Sequence, residues 1–172
     1  MITIRRLINN NPVFAELTDA IKREIASHAV RHDYHPGEII TFAGDIWPHL
    51  FIVSQGEVIA MKSSSEGRRL VIAVFTPGEL FWGLAFFQEN YLMPVTLEAI
   101  GECQLFTWSR ERLLPIVLKE SRLTWGLCEL MAKRMSRASD IIDEQVFKPV
   151  ASRLARLLLD SFETAGGLQV SR

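Results

Sequence analysis

Pro77-Gly78-Glu79-Leu80 is the last of three Gly-Glu steps that divide an alternating, β-branched stretch at intervals of roughly twenty residues. The other two are Pro36-Gly37-Glu38 and Gln55-Gly56-Glu57. Glycine supplies backbone angles that a side chain would forbid, and a preceding proline fixes φ at the first corner of a turn. Corners of this kind between runs of period two predict a β-roll. We expect strands near 30–34, 38–43, 50–55, 57–63, 68–75, 95–99 and 103–109, with Ser63-Ser64-Ser65-Glu66-Gly67 as a hairpin turn. Between Gly83 and Tyr91 the alternation lapses, and Gly-Leu-Ala-Phe-Phe-Gln-Glu there reads as one or two helical turns set into the roll.

Ahead of the roll, Asn10-Asn11-Pro12 followed by Val13, Phe14, Leu17, Ile21 and Ile25 predicts one short amphipathic helix behind a capping asparagine. After the roll, Ser109 is placed to cap a helix through Leu113, Leu114 and Val117. A long helix then begins near Ser121, with Leu123, Leu127, Leu130, Met131, Met135, Ala138, Ile141, Ile142 and Val146 at spacings of three and four. Such a stripe packs on its own sheet or pairs with a copy of itself, and its length favours the pair. Lys148-Pro149 should end it, and a last helix from Val150 to Phe162 should stop at Gly166-Gly167. The expected fold is mainly β with helices: an antiparallel roll of jelly-roll type over 1–120, a dimerisation helix over 121–147 and a short terminal helix within 148–172.

The chain of 172 residues is long enough for one core, and 48% hydrophobic residues fit a folded protein. Lys and Arg number 19 against 20 Asp and Glu, a net charge of -1, so no global basic field advertises nucleic acid. Cys103 and Cys128 stand alone, and no signal peptide is read at the start, which together predict a reduced, cytoplasmic setting. The longest apolar run, Leu70 to Phe75, is far short of the ~20 residues of a membrane span.

The segments His35-Pro-Gly-Glu-Ile-Ile-Thr-Phe-Ala-Gly-Asp45, Leu50-Phe-Ile-Val-Ser-Gln-Gly-Glu-Val-Ile-Ala60 and Phe75-Thr-Pro-Gly-Glu-Leu80, in this order before the long helix, resemble the cyclic-nucleotide-binding-like sensor domain of CRP/FNR transcription regulators. The resemblance implies a homodimer through the long helix, here at Leu123, Leu127, Met131, Met135, Ala138 and Ile142. It also implies a winged helix-turn-helix that binds DNA. Val150-Ala-Ser-Arg-Leu-Ala-Arg-Leu-Leu-Leu159 resembles the first helix of that module, and the sequence stops at Arg172 before a recognition helix. The expectation is therefore a truncated piece of a regulator, or a protein that has lost the DNA reader.

In the family, the inserted turn holds a cyclic nucleotide phosphate on backbone N–H groups and a glutamate bonds the ribose. The resemblance assigns these roles to Gly78 and Glu79; the plainer alternative for Glu79 is a turn-forming surface residue. Where cyclic-AMP-binding members carry an Arg-Ser pair, this chain has Met93-Pro94, and where they present Thr-Ser from the long helix it has Ala138-Ser139. Neither Met93 nor Pro94 offers a side-chain donor to a buried anion, so cyclic AMP is not the expected ligand. Phe81, Trp82, Leu84, Phe86, Phe87, Tyr91, Leu92 and Met93 crowd the cassette instead. They suit either a collapsed pocket or a planar apolar effector. The expected effector site is Gly78, Glu79, Leu80, Trp82 and Met93 with Ala138 and Ser139.

Other chemistries fit less well. An iron-sulfur cluster needs four thiolates and the chain has two cysteines. A haem ligand is expected near the cassette, yet His28, His32, His35 and His49 all precede it, leaving Met93 or Cys103 as soft candidates. A cupin-like enzyme would place two histidines at period two on one strand, whereas His32 and His35 are three apart, so no metal site and no enzymatic activity are expected. The function expected is that of a CRP/FNR-type regulator answering a small molecule other than cyclic AMP. The alternative is a regulatory module of the same fold that acts through a protein partner without binding DNA.

Overall fold

A computed structural model describes residues 3–64 and 66–147, with side chains through Ile141. The proposed terminal helix and the role of Pro149 lie outside the described residues, as does the side chain of Ile142. The chain divides into two compact units, Met1–Leu127 and Cys128–Arg172.

Two helices precede the roll in place of the single one expected. Helix α1 spans Ile4–Asn10 and α2 spans Asp19–Ser27, with a 3-10 turn, Pro12–Phe14, between them. Pro12 has no N–H to continue α1, and the Asn11 side chain caps the 3-10 turn by accepting from Val13 N–H at 3.0 Å. Thr18 then caps α2.

The roll is a six-stranded sheet in the order β1-β6-β3-β4, with β2 on β6 and β5 on β3. Its strands are β1 Val30–Tyr34, β2 Ile39–Thr41, β3 His49–Ser63, β4 Arg69–Phe75, β5 Leu80–Trp82 and β6 Thr96–Ser109, all antiparallel in their pairings. Two expected strand pairs have merged: 50–55 joins 57–63, and 95–99 joins 103–109. Gln55-Gly56-Glu57 is consequently a bulge and not a corner. The β3–β6 register slips on both sides of Gln55, Gly56 has φ +74° and Gly101 in the facing strand has φ +69°. A Cβ on Gly56 would stand 2.5 Å from the Glu102 carbonyl oxygen. Two glycines let both strands bend together without losing their ladder.

The other two Gly-Glu steps are true corners of identical construction. Gly37 and Gly78 adopt φ +80° and +92°, and the Glu38 and Glu79 N–H groups each donate at 3.0 Å to the carbonyl three residues back. Each glutamate side chain then returns to the same residue: Glu38 accepts from His35 N–H at 2.9 Å, and Glu79 from Thr76 N–H at 2.8 Å.

Phe51, Val53, Val58, Phe75, Met93, Leu97 and Leu105 form the buried interior of the roll. Trp108, fully buried at the end of β6, donates its indole N–H to the Ile25 carbonyl at 2.8 Å and ties α2 to the sheet. Helix α3, Arg110–Lys119, follows at once; Ser109 stands at its N-cap position, but its hydroxyl makes no capping bond. Helix α4 is continuous over Ser121–Phe147. Leu123 and Leu127 are buried, and Gly126 lies so close to the 3-10 turn that a Cβ would meet the Val13 carbonyl at 2.7 Å. None of the described residues 128–141 is buried. Strand β4 is also uncovered, with Leu70 62% and Val71 51% exposed.

Gly56→Ala should lower stability by ~2 kcal/mol or more, because positive φ and a backbone collision act together. Gly37→Ala, at similar φ but with nothing within 4 Å of its Cβ, should cost about 1 kcal/mol. Urea unfolding midpoints at unchanged slope would measure the difference; equal losses would show that the β3–β6 bend does not depend on Gly56.

Candidate effector site

Gly78 and Glu79 form the corner before β5, which carries Leu80 and Trp82, and the corner is occupied with its own bonding. Glu79 accepts from both the N–H and the hydroxyl of Thr76, at 2.8 and 2.9 Å. Gly78 N–H donates to Val53 O at 2.8 Å, its carbonyl accepts from the Asn11 amide at 2.8 Å, and Val53 N–H donates to Glu79 O at 3.1 Å. The corner therefore fastens β3 and the N-terminal 3-10 turn. This geometry is that of the turn-forming glutamate, the plainer of the two readings.

Leu80 and Met93 are core residues, 1% and 2% exposed. Met93 exchanges backbone bonds with the preceding strap, donating to Asp45 O and accepting from Gly44 N–H, each at 2.8 Å. Around them the aromatic rings pack on one another. Phe75 and Phe81 centroids are 4.4 Å apart, Phe51 and Phe81 5.4 Å, and Trp47 and Phe51 5.6 Å. Trp82 stacks on Phe81 at 6.0 Å and meets Phe87 edge-on at 5.8 Å. Separations of this size are those of direct ring contact. Of the two readings of the aromatic cluster, this packing is the collapsed one. The inserted helical element is a 3-10 turn, Leu84–Phe86, and Gly83 before it is pressed onto the β2–β3 loop: a Cβ there would fall 1.8 Å from the Trp47 carbonyl oxygen.

Ala138 and Ser139 lie on the exposed part of α4, in the second unit. Of the residues expected at a dimer seam, Leu123 and Leu127 are buried within one chain, because the first turns of α4 pack in the first unit. Trp125 between them is 68% exposed, and farther along the helix Met135 is 74% and Ile141 49% exposed.

Sequence reasoning missed a polar chain on the outer roll. Ser54 hydroxyl donates to Gln104 at 3.1 Å, the Gln104 amide donates to Asp33 at 2.9 Å, and Arg31 pairs with Asp33 at 2.9 Å. The bonds from Arg31 and Gln104 hold the Asp33 carboxyl below its usual range. Ser54 and Gln104 sit in a strand pattern that reads simply as alternation, so only pairing across β3 and β6 reveals them. Beside them Cys103 is buried, and desolvation pushes its thiol up to about 11. Among the described residues no group of three or more His, Cys, Asp or Glu could hold a metal ion, and no helix is long and apolar enough to cross a membrane.

An antiparallel roll with a short helical insert, followed by a long helix, is the architecture of cyclic nucleotide-binding domains, and that family matches residues 31–120. The chain belongs to the cyclic nucleotide-binding domain family. Within it, the CRP/FNR regulators are its relatives. It is 25% identical over 140 residues to the cAMP-activated global transcriptional regulator Vfr of Pseudomonas aeruginosa, covering 80% of this chain and 65% of that one. It is 25% identical over 152 residues to the cyclic AMP receptor protein of Thermus thermophilus, covering 88% and 70%. The chain thus spans about two thirds of the length of these curated relatives. The crystal structure of the Thermus thermophilus catabolite activator protein superposes with a TM-score of 0.70 at 25% identity, over 91% of this chain and 72% of that one. The sensor domain of the regulator DNR from Pseudomonas aeruginosa shares the fold, with a TM-score of 0.68 at 16% identity over 85% and 94%.

With a thiol near 11, Cys103 holds roughly one thiolate in a thousand at pH 8, and it is also buried. A disulfide reagent at pH 8 should titrate one thiol per native chain, the exposed Cys128, and release the second only on unfolding. Two thiols reacting at the same rate would contradict the packing described here.

Proposed function

We propose that this chain is the sensor and dimerisation portion of a CRP/FNR-type transcription regulator whose small-molecule effector is not cyclic AMP. The observation that carries the reading is the far end of the cassette. Met93 is buried in the core and Pro94 has no N–H, at the place where cyclic-AMP-binding members of the family neutralise the phosphate. Burying a permanent anion without a paired cation or a full set of donors costs several kcal/mol. The Phe51, Phe75 and Phe81 contacts support the same conclusion, since the roll interior is already filled by its own rings.

An effector for this regulator would bind on the cassette face that carries Trp82 and be read out by the long helix, on which Ala138 and Ser139 are the candidate residues. It would work by binding one arrangement of the two elements better than another. The whole protein would bind DNA as a homodimer through a helix-turn-helix supplied beyond the roll, with its two recognition helices set about 34–36 Å apart for successive major grooves. Two surfaces support the homodimer: the exposed strand β4 and the exposed apolar residues of α4. Leu70, Val71, Ile72 and Val74 of β4 and Met135 and Ile141 of α4 all stand 46% or more exposed in one copy. An apolar edge strand left in water is a liability that proteins cover.

Calorimetric titration with cyclic AMP should show no saturable binding below about 1 mM. A micromolar or tighter constant would overturn the assignment and require a cation reaching the phosphate from elsewhere. Met135→Glu sets an unpaired carboxylate against its own copy and should weaken association by ~3 kcal/mol or more. Sedimentation would then show monomers with an unchanged roll, since Met135 is 74% exposed in one chain. A fully dimeric variant at micromolar concentration would remove α4 from the interface.

A further inference from the structure

Outside the named strands, the strap from Phe42 to Ile46 and the segment from Tyr91 to Met93 come together. The Gly44 and Met93 N–H groups donate across them, each at 2.8 Å, and Ile46 faces Leu92 in a single antiparallel bridge. That bridge sets two large apolar side chains side by side in water, each 53% exposed. Phe42 at 58% and Tyr91 at 45% flank them along the chain. Neither segment is apolar enough alone to announce a surface; the pairing makes it.

Ile46 also lines a cavity of about 420 Å³ that runs back to the start of α3, with His49, Glu89, Ser109, Arg110 and Glu111 in its wall. Two polar groups there are unspent. His49 Nδ1 is buried without a hydrogen-bond partner, and the Ser109 hydroxyl makes no capping bond.

The charge around this cavity is acidic. Arg110 is committed: it pairs with Glu89 at 2.8 Å, donates to Phe86 O at 3.1 Å, and keeps only 27% of its side chain in water. Glu111 in the cavity wall and Asp45 in the strap add carboxylates, while Arg112 does not line the cavity.

We propose that this face docks a peptide segment of a partner protein, one that carries a large apolar anchor flanked by Lys or Arg. The anchor enters the cavity beside Ile46 and Leu92, and a flanking cation meets Glu111 in the cavity wall. A small molecule filling the cavity alone would leave the Ile46–Leu92 pair in water, whereas an extended or helical peptide covers both at once.

The test is selection from a display library of random peptides about twelve residues long, panned on the full chain with counter-selection on Leu92→Lys. Enriched sequences should pair Lys or Arg with Leu, Ile, Phe or Trp. A synthetic peptide of the consensus should bind about ten-fold more weakly to Leu92→Lys and to Glu111→Lys, as measured by fluorescence anisotropy. Glu111 is exposed in the first turn of α3, so its variant decides the matter if Leu92→Lys melts early. Enrichment of acidic peptides, failure to enrich any peptide over the counter-selected variant, or a binder indifferent to both substitutions would each overturn the proposal.

Discussion

The ladder between β3 and β6 is the constraint on which the rest of this structure depends. It runs from His49 opposite Ser109 to Met61 opposite Thr96, and every other strand is hung from one of its outer edges. β1 and β2 pair with β6, while β4 and β5 pair with β3. Strands this long would diverge from a small roll if they stayed straight. The paired glycines at 56 and 101 supply the bend, and the close approach of Gly56 to the Glu102 carbonyl leaves no room for another residue.

Bending that ladder around an interior creates a space, and the sequence decides what fills it. In this chain the filling is aromatic: Phe51 comes from β3, Phe75 from β4 and Phe81 from β5, and their rings touch. A regulator of this fold needs two arrangements that a ligand tells apart. With the roll packed by its own side chains, the large apolar side chains left in water lie mainly on strand β4, at the Ile46–Leu92 bridge and along α4.

The corners and the strands were legible from sequence because Pro-Gly-Glu fixes both backbone and side chain within four residues, as Glu38 and Glu79 demonstrate by bonding back to His35 and Thr76. Gln55-Gly56-Glu57 misled because the same dipeptide without a proline serves a bulge equally well, and only the facing Gly101 tells the two apart. The N-terminal helix was read as one because apolar spacing persists from Val13 to Ile25 across a break enforced by Pro12 and Thr18. Strand β5 has three residues, too few to show a period. The Pro77-Gly78-Glu79 corner was legible as a place in the fold, but its bonding was not. The spending of Glu79 on Thr76 and the Ser54–Gln104–Asp33 chain are facts of pairing between distant segments.

Asn11 joins parts that sequence separates widely. Its amide holds the carbonyl of Gly78, its oxygen holds the N–H of Val13, and the carbonyl of Val13 is the surface on which Gly126 rests. The cassette corner and the first turns of α4 are therefore geared together through one side chain and one stretch of main chain. Main chain cannot change rotamer, and a helix seated on it through glycine has no side chain at that contact to absorb a shift. The corner and the first turn of α4 up to Gly126 are thus joined with only Asn11 free to yield between them.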